Sequence, residues 1–169
     1  MKKSTIILGA VLLAVVLAGC GVGLNIKQDA QGNTILDVSL PESVVNPILQ
    51  GAVVDNKSGS SSETILDEID SIDMKPGIIT VTGKRTLPDG TKANGTFDLS
   101  LTAENGDLKA SVANIHIEGT EVTQETVNQI NERIASALSK SASSDDKSEI
   151  NSVNITDDAL QFVITIKKT

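Results

Sequence analysis

Two turn dipeptides, Asp89-Gly90 and Asn105-Gly106, bracket a run in which Phe97, Leu99, Leu101 and Ala103 alternate with polar residues. No other feature constrains the fold as much. Asp-Gly and Asn-Gly accept the positive φ angles that tight hairpins need, and alternation with period two marks a strand with one dry face. Ile79 and Val81 lead into the first turn, while Ala113, Ile115 and Ile117 alternate after the second. The pattern predicts a meander of three antiparallel strands. Its wet side carries Thr80, Thr82, Asp98, Ser100, Thr102, Asn114 and His116.

Strand signals also stand at both ends of the chain. Val22, Leu24 and Ile26 alternate, residues 28–33 form a turn cluster ending in Gly32-Asn33, and Leu36, Val38 and Leu40 resume the alternation. The last hairpin has Val153 and Ile155, a turn at Asp157-Asp158, then Leu160, Phe162, Ile164 and Ile166. Helical spacing lies between these strand regions. Pro41 is placed to open a helix with Val44, Val45, Ile48, Leu49 and Ala52 on one face, shortened or kinked by Pro47. Ser60 and Glu63 fit a capping box for a brief helix with Ile65, Leu66 and Ile69, ending at Asp70. Thr123 caps a longer helix whose dry face is Val127, Ile130, Ile134 and Leu138, with Val122 and Val127 as a hydrophobic staple. Residues 140–149 read as a polar loop. The expected fold is α+β: a twisted antiparallel sheet of about six to seven strands packed on the long amphipathic helix, plus two short helices. No internal repeat is visible.

The first residues address the protein to a membrane. Lys2 and Lys3 precede an apolar stretch from Ile6 to Ala18, and Leu17-Ala18-Gly19-Cys20 closes it. The stretch is too short to span a bilayer core, which takes about 20 apolar residues, because Gly21, Gly23 and Asn25 interrupt it. Leu17 to Cys20 resembles the lipobox of bacterial lipoproteins. That resemblance implies cleavage before Cys20, a diacylglyceryl group on the Cys20 thiol and a further acyl chain on the new amino group. Two or more chains anchor stably where one does not. The organisation that follows is 1–19 signal peptide, 20–23 lipidated cysteine and short tether, and 24–169 a single domain. Its expected place is the extracytoplasmic face of the bacterial cell membrane or outer membrane, with the N-terminal lipid as its membrane contact. Cys20 is the only cysteine, so packing alone must hold the domain.

Charge and composition exclude several functions. The chain carries a formal net charge of −8, made more negative when Lys2 and Lys3 leave with the signal, and such a surface repels nucleic acid. Phe97 and Phe162 are the only aromatic residues, leaving almost nothing on which sugars or bases could stack. His116 is the only histidine and falls on a wet face. It has no second histidine or thiol beside it with which to build a nucleophilic unit or a zinc site. Asp67, Glu68, Asp70 and Asp73 lack the alternate ligands and central glycine of a calcium loop. Neither an enzyme activity, a metal nor a cofactor is expected.

The order of elements over residues 65–168, a meander at 77–119, a helix at 122–138 and strands at 150–166, resembles the tubular lipid-binding superfamily. Proteins of that superfamily wrap a twisted sheet round a long helix and hold lipid between them. The resemblance implies an apolar ligand, a lipid above all, lying between sheet and helix in a carrier or sensor. Its expected lining is Leu99, Leu101, Ile115, Val127, Ile130, Ile134, Leu138, Phe162 and Ile164. The alternative is a ligand-free structural or interaction lipoprotein in which these residues only pack.

Overall fold

The computed structural model describes residues 21–54, 65–142 and 148–168. Eight strands and two helices follow in the order β1 (Gly23–Gln28), β2 (Thr34–Pro41), α1 (Glu42–Val53), β3 (Glu68–Lys75), β4 (Ile78–Thr86), β5 (Lys92–Glu104), β6 (Asp107–Ile117), α2 (Gln124–Ala142), β7 (Ser148–Ile155) and β8 (Ala159–Ile166). They form two antiparallel sheets of four strands, β1-β2-β8-β7 and β3-β4-β5-β6. The expected α+β fold, with six to seven strands in one sheet on a long helix and two short helices beside it, is therefore overturned. The protein is mostly β, with two sheets, and two helices among the described residues.

The physical reason lies in strand pairing, which alternation does not encode. The C-terminal hairpin does not extend the meander; β8 inserts beside β2, setting Val38 opposite Phe162, Leu36 opposite Ile164 and Leu40 opposite Leu160. Each pair joins two apolar residues on one face, the unit from which a sheet gains stability. The meander then stands as its own sheet. β7 connects the two, since the Ile150 amide donates to the Gly106 carbonyl and the Gly77 amide to the Ile155 carbonyl. One strand of the first sheet thus bridges two hairpin turns of the second.

α2 does not lie across a sheet. Its main neighbours are the edge strand β6 and α1, and Asn131 Oδ1 accepts a hydrogen bond of 2.8 Å from the Val112 amide of β6. A helix side chain here satisfies a sheet edge that would otherwise face water or a pairing partner. Thr123 caps the helix, its Oγ1 accepting from the Thr126 amide at 3.2 Å. α1 starts after Pro41 without a side-chain cap and runs through Pro47, whose missing N–H leaves the Ser43 carbonyl without its helical donor.

Two local expectations also change. Residues 68–70 do not end a short helix; they open β3, where Ile72 and Met74 are buried in alternation, and the Ser60 to Glu63 capping box lies outside the described residues. Ile65, Leu66 and Ile69 fit a helical spacing as well as a strand entry, and the turn that decides the matter is Pro76-Gly77. Gly77 has φ +82° and follows proline, as a tight turn between β3 and β4 requires. The second change is at Ala113, expected on the dry face but exposed. Asn114 adopts φ +50° and, together with Ile115, opposes Phe97 alone. This bulge shifts the alternation of β6 by one residue, so Val112 is inward before it and Ile117 after it.

Candidate functional site

The nine residues expected to line a ligand site fall in one apolar cluster. Leu99 and Leu101 lie in β5, Phe162 and Ile164 in β8, and Val127, Ile130, Ile134 and Leu138 on α2. All eight are buried. Ile115 is half-buried at the bulge and packs against the same cluster. Leu99 and Phe162 stand in different sheets, and α2 meets the edge strand β6. Leu99, Ile130, Ile134, Leu138 and Ile164 are 0 % exposed, so other side chains cover them completely. Interiors of this kind are packed to the density of organic crystals.

The polar residues singled out in the sequence lie on the outside. The side chain of Asp98 accepts from Thr80 Oγ1 at 2.9 Å and from Asn114 Nδ2 at 2.8 Å. These bonds tie three neighbouring strands across the wet face of the second sheet. They also explain why asparagine holds the left-handed bulge position, which it tolerates better than most residues. His116 is exposed on β6, opposite Thr96. No group of three or more histidine, aspartate or glutamate side chains among the described residues is placed to hold a metal ion.

Glu68, Asp70 and Asp73 line β3, and each has a lysine partner: Lys92, Lys84 at 3.7 Å and Lys75 at 2.8 Å. Asp67 accepts from the Thr86 amide. The hydrogen bond and the charge of Lys92 hold the Glu68 carboxyl below its ordinary range. Asp73, by the same two effects, holds the Lys75 ammonium above its own. These acids are a fringe of solvated ion pairs on an edge strand, each worth little in isolation.

What sequence reasoning passed over in β1 is its exposure. All six of its residues are exposed, and Leu24 at 38 % and Ile26 at 53 % are the exposed large apolar side chains among the described residues. They continue the inner face of the first sheet, Leu24 opposite the buried Val38 and Ile26 opposite Leu36. Their alternation was legible; that the strand would end the sheet, with no further strand beyond it among the described residues, was not. Val22, one residue before β1, is already 9 % exposed and part of the core, so the folded body starts inside the segment expected to be a tether. Cys20 lies outside the described residues. Among those described, no helix is long and apolar enough to cross a membrane.

Comparison with protein-family models, with curated proteins and with solved structures finds no match for this chain.

Proposed function

We propose that the protein is a lipid-anchored domain of the bacterial cell envelope, held on the extracytoplasmic face through Cys20, which works through its surface and carries no lipid in its interior. The observation that supports this reading most is the complete burial of the helix residues Ile130, Ile134 and Leu138 together with Leu99 and Ile164. A carrier must replace what an acyl chain loses on leaving the membrane, roughly 0.8 kcal/mol per methylene. Only an open apolar groove does so, and here the side chains that would line it are covered by one another. The anchor itself rests on the lipobox resemblance at Leu17 to Cys20. The absence of stacking aromatics favours a protein or lipid-surface partner over a sugar.

Native mass spectrometry of the Cys20→Ser variant, expressed without its signal and purified without detergent, tests the interior. The expected spectrum is the bare polypeptide; a reproducible lipid adduct would restore the carrier reading. For the anchor, the same substitution in the full chain should move the protein from the membrane fraction to the soluble one. Retention of Cys20→Ser in the membrane would remove the anchor from the proposal.

A further inference from the structure

We infer that β1 is the membrane-facing edge of the domain, with Leu24 and Ile26 seated in the lipid interface beside the anchor. The inference rests on acylation of Cys20 and goes beyond it, since an anchor alone leaves the orientation of the domain open. Geometry removes that freedom. Val22 is fixed in the core, so only Gly21 separates the acylated residue from the packed body, and two peptide steps reach at most about 7 Å. A domain held so closely cannot stand off from the bilayer, and whatever surrounds Val22 must confront the headgroups.

The strand that leaves Val22, β1, is set apart by its exposed aliphatic side chains. Leu24 and Ile26 lie four and six residues from Cys20, within about 14 Å and about 21 Å even in a fully extended chain. They are the exposed large aliphatic side chains among the described residues. Single exposed aliphatics are ordinary on protein surfaces; two on one face of one strand, next to the lipid attachment point, are a directed pair. Residues 21–28 contain Lys27 and no acid, in a chain of net charge −8, so this segment adds no negative charge of its own next to the headgroups. Leu24 and Ile26 share the strand face opposite to Asn25 and Lys27, and Lys27 is engaged with Asp37 at 2.8 Å. One face of the strand is greasy and the other wet, as an element lying in the interface needs.

The test uses the acylated full-length protein in phosphatidylcholine vesicles, with a nitroxide at Leu24→Cys, Ile26→Cys, Asn25→Cys or Thr102→Cys. Acylated Cys20 does not react with the label, and all four positions are exposed in the fold. Collision rates with oxygen, which concentrates in lipid, and with a water-soluble nickel chelate give the environment of each site. The expected result is a several-fold preference for oxygen at 24 and 26 and for nickel at 25 and 102. Equal aqueous accessibility at 24, 25 and 26 in protein that floats with the vesicles would overturn the contact and leave the anchor intact. Failure of the acylated protein to float would remove anchor and contact together. If positions 24 and 26 were shielded from both reagents in the soluble Cys20→Ser variant, a second copy would be the occupant of β1, and the membrane proposal would fall.

Discussion

β1 and β3 are edge strands of the two sheets, and they treat the same hazard in opposite ways. An edge presents unpaired N–H and C=O groups to any extended chain that approaches, and proteins blunt such edges with charge and bulges. β3 carries Glu68, Asp70, Asp73 and Lys75 in eight residues, with a bulge at Asp70 between Ile69 and Ser71. β1 carries one lysine, no bulge in its pairing with β2, and two exposed aliphatics. The β3 edge is thus protected by charge and a bulge, and the β1 edge by neither. On the proposed anchoring through Cys20, the bilayer would cover the unprotected edge.

The strongest way to break the comparison is through the interior the two sheets share. Ile134→Ala removes a fully buried side chain of α2 and is expected to cost about 3–4 kcal/mol by urea denaturation; a loss below about 1 kcal/mol would mean the core is loose there. Next come the glycines next to each edge. A Cβ at Gly83 would stand 2.0 Å from the Glu68 carbonyl oxygen of β3, whereas one at Gly23 would meet only the Ser39 Cβ at 3.2 Å. Gly83→Ala should therefore cost about 2–3 kcal/mol and Gly23→Ala under about 1. Equal losses would show that β3 yields as easily as β1.

The acids of this edge can be neutralised with Glu68→Gln, Asp70→Asn and Asp73→Asn together, leaving the lysines in place. The expected outcome is self-association in sedimentation velocity, with thermal stability shifted by no more than a few degrees. A triple variant that stays monomeric would deny these charges their protective role. The pH dependence is smaller still. Glu68 is held below its ordinary range by Lys92. Its contribution is complete above the ordinary glutamate value and is lost as pH falls through the lower, folded value. The stability gap between the wild type and Glu68→Gln should close on that acid limb; a gap that persists there would assign it to packing. Smallest of all, Leu24→Ser with Ile26→Ser should change folding stability by under about 0.5 kcal/mol, since neither side chain is buried, while lowering oxygen access at a nitroxide on Asn25→Cys little or not at all.

The sequence carried its local geometry well and its pairing poorly. Gly90 has φ +84°, and Asn105 and Gly106 have φ +54° and +88°, so both turn dipeptides close the hairpins that their chemistry requires. The positions on α2 spaced for a dry face, Val127, Ile130, Ile134 and Leu138, are its buried aliphatics. What failed was everything that depends on a distant partner. Nothing local in Leu36, Val38 and Leu40 states that Phe162 and Ile164 lie beside them, so one sheet was expected where there are two. The bulge at Asn114 is invisible to a period-two count because it is set by the Asp98 carboxylate on the neighbouring strand. For the candidate site the same limit held. Burial of eight of the nine apolar residues followed from pattern, Ile115 being half-buried at the bulge, but whether they enclose a hollow or fill one depends on packing between elements, which alternation does not report.

The position of β8 between β2 and β7 governs when the protein can fold. The Lys168 amide donates to Asn33 Oδ1 across a separation of 135 residues, and the centre of the first sheet is supplied by β8, the last of the described strands in chain order. The second sheet is built from consecutive hairpins and can assemble early, whereas closing the longest loop in the chain is slow. Until that closure β1 and β2 are a lone two-stranded ribbon, marginal in water. Completion of the first sheet thus waits for β8, and a nascent chain that ends between residues 117 and 159 has one finished sheet and one unfinished.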